Sequence, residues 1–249
     1  MPIYFIQDDN ISGDLISIDG DNFHHLAHVL RCSAGEEIFA SDNKEKFRVK
    51  IESVHKRHIE ARVIKREKIR PGAEITLIQC LPKKDKMDSI VRHVVELGAR
   101  NIFPVVSARS VPRVNDSKAQ KLLSRFQKIA NEQAQQAGIE ILPNIYAIQK
   151  FEDAVRDLSR FDLVVIPWEE EKSKKVRDVL SKGDPAGRPY LNVKKLAIII
   201  GPEGGLTSEE VRCAEEAGAI SVSLGGTILR AEIAGLVTLA VIKYEFNWM

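Results

Sequence analysis

Two glycine-rich turns stand close together near the carboxyl end of this chain. Gly201-Pro202-Glu203-Gly204-Gly205 follows the apolar run Leu196 to Ile200, and Gly225-Gly226-Thr227 follows Ala219 to Leu224. Glycine lets the backbone approach a ligand closely and present its N–H and C=O groups. Just beyond the second turn come Arg230 and Glu232. A guanidinium stays charged and offers forked donors to a carbonyl or phosphate oxygen, while a carboxylate beside it can orient that cation or accept a proton. Plainer readings stay open: the glycines also suit tight strand-to-helix turns, and Arg230 with Glu232 also suits an ordinary ion pair at a helix start. Two such turns in tandem favour a small-molecule site, because ligands of open α/β sheets bind outside the carboxyl ends of the strands.

The elements that must hold those turns follow a βαβ cadence from Gly72 onward. Glu74 to Leu81 reads as a strand, Lys86 to Leu97 as a helix stopped by Gly98, and Asn101 to Val106 as a strand. Leu122 to Ala137 has helical periodicity, Leu163 to Ile166 is a buried strand, and Lys174 to Leu180 is a short helix before the loop Gly183-Asp184-Pro185-Ala186-Gly187. Thr207 and Glu210 have the spacing of a capping box, Gly218 closes that helix, and a long helix starts at about Ala231. This order predicts an α/β domain with a parallel sheet.

The first seventy residues have a different texture. Phe47, Val49 and Ile51 alternate with Arg48, Lys50 and Glu52, then Ile59, Ala61 and Val63 alternate with His58, Glu60 and Arg62. Alternation of that kind predicts two half-buried strands, paired antiparallel within a small β-rich domain that Pro71-Gly72 closes. Two domains, 1–72 and 73–249, describe the chain.

Composition narrows the class. Lys and Arg number 37 against 35 Asp and Glu, so attraction to an anionic partner must come from local clusters. Eleven Lys/Arg stand against four Glu between Lys44 and Arg70, and six against Asp116 between Arg109 and Lys128. Such patches suit phosphate contacts, although charged strand faces are usually just solvated. Cys32, Cys80 and Cys213 are far apart, which fits a reducing compartment. The start Met1 to Asn10 lacks a signal-peptide pattern, and the apolar run Ile233 to Ile242 is too short to span a bilayer. The expectation is a soluble, cytoplasmic protein. His24 and His28 stand four apart without an acidic or cysteine ligand, and HExxH is absent, so no metal is expected. Neither glycine turn fits GxxxxGK[ST] or GxGxxG, so a P-loop nucleotidase or a dinucleotide-binding Rossmann domain finds no support.

Taken together, Ile200 to Gly205 and Leu224-Gly225-Gly226-Thr227-Ile228-Leu229-Arg230-Ala231-Glu232 resemble the SPOUT superfamily of methyltransferases. Within it they resemble the RsmE family, which methylates N3 of a uridine in small-subunit (16S) ribosomal RNA. His25-Leu26 with Val29-Leu30-Arg31, and Leu81-Pro82-Lys83 with Glu96-Leu97-Gly98, extend the likeness over the whole chain. The resemblance implies a PUA-like β-barrel domain followed by an α/β domain with a deep trefoil knot, an exception to the rule against knots. It also implies a homodimer with its active site near the subunit interface.

The same resemblance implies that S-adenosylmethionine is held by Ile200, Gly201, Glu203, Gly204, Gly205, Leu224, Gly225, Ile228 and Leu229, with the stretch Ile166 to Trp168 as a third wall. Glu203 either complements the donor's positive sulfonium or is satisfied by nearby backbone, and Trp168 either caps the pocket or belongs to the core. Arg230 and Glu232 become the catalytic pair. The partner is 16S rRNA or the small ribosomal subunit, contacted by Arg31, Arg48, Lys50, Arg62, Arg109 and Arg113. The chain departs from the family at Thr227 and Ile139, where Arg is usual, at Ala231, where Thr is usual, and at Pro2-Ile3 in place of an Arg-rich start. Each lost Arg removes a possible phosphate contact. Two alternatives therefore stand: a SPOUT methyltransferase with another RNA target, such as ribose 2′-O, and a catalytically inactive RNA-binding relative.

Overall fold

The computed structural model describes residues 1–111, 115–182 and 193–248. Arg113 and the loop 183–187 lie outside the described residues. The chain forms two compact units, Met1–Arg70 with Asn131–Leu142, and Pro71–Ala130 with Pro143–Met249.

In the first unit a six-stranded sheet runs in the order β1-β4-β5-β6-β3-β2. Its strands are β1 (Ile3–Phe5), β2 (Ile11–Ser12), β3 (Leu15–Ile18), β4 (Glu37–Ser41), β5 (Glu45–Val54) and β6 (Ile59–Lys68). All pairs are antiparallel except β1 with β4. The alternation read from the sequence is the pleat itself: Phe47, Val49, Ile51, Ile59 and Ala61 are buried, while Arg48, Lys50, Glu52, Glu60 and Arg62 face out. A short helix α1 (Gly20–His24) and a π-type turn (His25–Val29) lie against that core, with Phe23 and Leu26 buried. The segment 131–142, inside the stretch assigned to the second domain from sequence, packs with the first unit. Ser41 Oγ donates to the Glu140 carbonyl at 2.6 Å, Lys46 pairs with Glu140 at 2.9 Å, and Leu142 N–H donates to Asn43 Oδ1 at 2.7 Å.

The second unit is a parallel sheet in the order β10-β8-β7-β12-β11-β13, with β9 added on β8. Its strands are β7 (Glu74–Cys80), β8 (Asn101–Val106), β9 (Asn144–Ile145), β10 (Gln149–Lys150), β11 (Leu163–Pro167), β12 (Lys195–Ile200) and β13 (Ile220–Val222). Continuous burial of Leu196 to Ile200 reflects a strand covered on both faces, the usual state of a parallel sheet. The helices are α2 (Lys86–Glu96), α3 (Asp116–Ala137), α4 (Phe151–Val155), α5 (Val176–Lys182), α6 (Ser208–Glu216) and α7 (Ala231–Glu245). Helix α3 begins six residues before the apolar periodicity does, because Asn115 Oδ1 accepts the Lys118 N–H at 3.0 Å and caps a polar first turn. Among the described residues no helix is long and apolar enough to cross a membrane.

The two glycine turns follow β12 and β13, which are consecutive in sequence but not neighbours in the sheet. Both pair in parallel with β11, which lies between them. Three carboxyl ends, not two, therefore converge, and the stretch after β11 stands in the middle.

Candidate active site

The carboxyl ends of β11, β12 and β13, with the amino-terminal turns of α2 and α7, enclose a cleft of about 330 Å³. Its walls include Lys86, Trp168, Glu169, Ile200, Gly201, Glu203, Gly205, Ile228, Leu229, Arg230 and Glu232. A lobe of about 80 Å³, sharing Pro167, Trp168, Glu169, Ile228 and Leu229, continues under Leu224, Gly225 and Gly226. Eight of the nine residues implied as cofactor-binding line one lobe or the other. Gly204 does not: its carbonyl points to Arg109.

The first turn owes its shape to backbone crowding. Gly205 N–H donates to the Pro202 carbonyl at 2.9 Å, and Gly205 sits at φ +70°, where an L side chain is strained. A Cβ on Gly201 would stand 3.0 Å from Leu206 N and 3.1 Å from Gly205 C. Two side chains brace the turn from outside. Arg109 Nη1 donates to the Gly204 carbonyl at 2.8 Å and to the Leu206 carbonyl at 3.3 Å. Glu210 closes the anticipated capping box, accepting Thr207 N–H at 2.9 Å while Thr207 Oγ1 accepts Glu210 N–H at 3.1 Å. The other oxygen of Glu210 accepts Ala108 N–H at 2.7 Å, which ties the start of α6 to the segment after β8. Arg109 is thus a brace for the cleft, a role its place in a basic stretch did not suggest.

Lys86 is the residue the sequence reading missed. Strand β7 pairs with β12, so α2, which follows β7, starts beside the turn that follows β12. Helix α7 packs on α2 and brings Glu232 to the same place. Lys86 Nζ lies 3.0 Å from Glu203 Oε1 and 3.0 Å from Glu232 Oε1. Hydrogen bonds to Glu203 and then Glu232 hold the Lys86 ammonium above its ordinary value. For Glu203, burial pushes the carboxyl up, but hydrogen bonds from Lys86 and from backbone N–H groups outweigh it and the net shift is downward. For Glu232, its own backbone N–H holds the carboxyl low against the opposing effect of burial, with help from Lys86.

These contacts bear on two readings the sequence left open. Glu203 is satisfied by backbone, but by Lys83 N–H at 3.0 and 3.1 Å rather than by the helix it precedes. The expected pairing of Arg230 with Glu232 is not formed: Glu232 is turned to Lys86, and Arg230, at the exposed N-cap of α7, has no ion-pair partner among the described residues. The physical reason is competition, since a lysine at the facing helix start reaches the carboxylate at hydrogen-bond distance and Arg230 does not.

Among the described residues three side-chain atoms are buried without a hydrogen-bond partner: Gln79 Oε1, Trp168 Nε1 and Glu232 Oε2. Gln79 lies beneath α7 near Gly235, whereas the other two belong to cleft residues. Leaving such an atom unsatisfied costs about 1–3 kcal/mol. Trp168 also packs on the core of this unit, so it serves as both core and wall. Ile228 is 77% exposed at the rim.

The remaining basic candidates are in the first unit. Arg31 is exposed at φ 56°, after the π-type turn. Arg48 and Arg62 share the exposed strand face with Lys50, but Arg48 Nε donates to Glu37 at 2.7 Å and Arg62 Nη2 to Glu52 at 3.2 Å. Lys50 has no ion-pair partner among the described residues.

A parallel α/β unit with a ligand-sized cleft at its strand carboxyl ends, together with a small β unit, matches known domains. Residues 70–243 match the RNA methyltransferase domain, and residues 18–64 match the RNA methyltransferase PUA domain. The chain is 32% identical over 235 residues to ribosomal RNA small subunit methyltransferase E of Bacillus subtilis, covering 92% of this chain and 90% of that protein. Its Mycobacterium bovis counterpart is 27% identical over 236 residues, covering 93% and 87%. The crystal structure of ribosomal RNA small subunit methyltransferase E from Neisseria gonorrhoeae, bound to S-adenosyl methionine, superposes with a TM-score of 0.82 at 27% identity, covering 98% of this chain and 97% of that one. The fold is that of the RNA methyltransferases. This chain belongs to the ribosomal RNA small subunit methyltransferase E family.

Proposed function

We propose that this protein transfers a methyl group from S-adenosylmethionine to N3 of a uridine in 16S rRNA of the small ribosomal subunit. The observation that carries the reading is the unpartnered, buried Glu232 Oε2 in a cleft whose opposite wall is made of close-approach glycine turns. The cleft fits the donor on its own terms. Its volume is in the range of small-molecule sites, Ile200, Ile228 and Leu229 offer apolar cover, and Trp168 Nε1 offers a free donor. Lys86 shared between Glu203 and Glu232 leaves one net negative charge, which complements a sulfonium. Bound S-adenosylmethionine supplies an electrophilic methyl group, so the reaction needs no metal.

The chain's residues deal with the acceptor. Uracil N3 carries a proton that must leave as the nitrogen attacks. Glu232 Oε2 accepts the hydrogen bond from that N–H, and Lys86 fixes the carboxylate through its other oxygen. Glu232 receives that proton as N3 takes the methyl and the S–CH3 bond of the donor breaks, but a carboxylate held below its ordinary value is a weak base, so the developing anion needs stabilisation where it forms. Arg230, unpaired at the mouth of the cleft, has the forked donors for the uracil carbonyl oxygens.

The division of labour in this reading is a PUA-like unit, 1–72, that holds RNA through Arg31, Arg48, Lys50 and Arg62, and a knotted catalytic unit, 73–249, that carries Arg109 and Arg113. The active form is a homodimer in the cytoplasm, in which a second copy covers the exposed Ile228 and Ile233. Incubation with labelled donor and unmodified small subunits, followed by nucleoside mass spectrometry, tests the assignment. A methyl on uridine N3 is the expected product. A ribose 2′-O-methyl product, or tight RNA binding without donor binding, replaces it with one of the alternatives.

A further inference from the structure

The hairpin that joins β5 to β6 gathers three metal-ligating side chains that no step of methyl transfer uses. His55 N–H donates to the His58 carbonyl at 2.9 Å and closes the turn. The two imidazoles stack with centroids 4.5 Å apart and planes inclined by 18°. Their Nε2 atoms reach the same carboxylate, His55 to Glu60 Oε2 at 3.5 Å and His58 to Glu60 Oε1 at 3.6 Å. All three ligand atoms fall within 4.8 Å of one another. Ser53 Oγ stands 2.8 Å from His55 Nε2 and 3.2 Å from Glu60 Oε2.

Those separations are informative. At 3.5 and 3.6 Å the imidazole–carboxylate contacts are longer than good N–H···O hydrogen bonds, which centre at about 2.9 Å. Each is close to the edge, about 3.4 Å, of a tetrahedron whose ligands lie about 2.1 Å from a central zinc ion, and because the two contacts end on different carboxylate oxygens, Glu60 must turn one oxygen to serve both. The turn hydrogen bond holds both side chains at one end of the hairpin, and the stacked rings must rotate out of their stack for the in-plane lone pairs of the two nitrogens to converge on one ion. We propose that His55, His58 and Glu60 form a surface site for a divalent transition-metal ion of the zinc class, with water as fourth ligand and Ser53 hydrogen-bonded to the ligand set.

Donor chemistry selects the ion. Two imidazoles and one carboxylate suit Zn²⁺, Ni²⁺ or Cu²⁺, whereas Ca²⁺ and Mg²⁺ call for all-oxygen shells. A second close histidine pair, His24 and His28, has ring centroids 5.2 Å apart but no third ligand among the described residues, which makes it the internal control. Lys56 and Arg57, in the same turn, oppose a cation, so the site is weaker than a buried structural zinc site. Its effect is to staple the hairpin whose strands carry Arg48, Lys50 and Arg62.

The test is competition between the full-length protein and a chromophoric chelator for Zn²⁺ alone. One Zn²⁺ per chain is expected, with affinity at least ~10-fold lower in His55→Ala, His58→Ala or Glu60→Gln and unchanged in His24→Ala. Co²⁺ should give the visible bands of a four-coordinate ion in the wild type and lose them in His58→Ala. Absence of stoichiometric binding overturns the proposal. So does binding that survives His55→Ala and His58→Ala together, or that His24→Ala abolishes.

Discussion

Lys86 Nζ and Glu232 Oε1 stand 3.0 Å apart across the starts of two packed helices, and this contact leaves the second oxygen of Glu232 buried with nothing bound to it. The pairing arises because α7 packs on α2 and brings Glu232 beside the first turn of α2. It also gives Lys86 a task distinct from binding. After the carboxyl's own backbone N–H, the ammonium helps hold Glu232 below its ordinary value.

The first prediction concerns that task. In Lys86→Met the Glu232 carboxyl loses one of the groups that hold it low, while burial, which pushes it up, stays. The acid limb of the pH–rate profile should therefore move to higher pH, with kcat reduced more than the donor Kd. A profile that coincides with wild type removes Lys86 from the mechanism.

Arg230 gives the second. Its side chain touches no carboxylate among the described residues, so Arg230→Ala breaks no ion pair and leaves the donor-binding turns in place. Donor affinity should be retained, and methyl transfer should fall by about 10²–10³, the size of effect seen when a single anion-stabilising donor is lost. Isothermal titration beside single-turnover kinetics separates the two quantities. Unchanged turnover excludes Arg230 as the stabilising group.

Arg109 separates bracing from RNA contact. Its two hydrogen bonds end on the Gly204 and Leu206 carbonyls, so Arg109→Ala should loosen the turn and weaken donor binding. The slope of RNA affinity against salt should change little. A phosphate-contacting arginine would behave the other way, lowering the slope by about one and sparing the donor Kd.

Glu171 provides a stability test away from the chemistry. Ser173 Oγ, then the backbone N–H groups of Lys174 and Ser173, hold its carboxyl at about 2. Since the folded value lies below the ordinary 4.5, this stability is present above that pH and is lost as pH falls towards 2. Glu171→Gln should cost about 1–2 kcal/mol in urea unfolding at pH 7. The gap between variant and wild type should close in acid. A gap independent of pH would show that the ionised form contributes nothing.

Periodicity made most elements legible in advance. The alternation in 47–51 and 59–63 is visible because one face of that sheet is wet, and the Thr207–Glu210 box is visible because capping is a local code. Strand order in a buried parallel sheet has no such local signal: Leu163 to Ile166 is uniformly apolar whichever strands flank it, so its place between β12 and β13 emerged only from the structure. Lys86 escaped for the same reason, because a lysine at a helix start reads as solvated until the sheet brings two carboxylates to it. His55, His58 and Glu60 lie within six residues, but their spacing matches no metal motif, and it is the turn that brings their ligand atoms within 4.8 Å of one another.

The account turns on Glu232, whose free oxygen is placed to receive the acceptor's proton. Single-turnover methylation of unmodified small subunits by Glu232→Gln, with donor affinity measured in parallel, tests this most directly. The account predicts a donor Kd within about twofold of wild type and a transfer rate lower by about 10²–10⁴. Transfer at the wild-type rate, with the donor still bound, would contradict it.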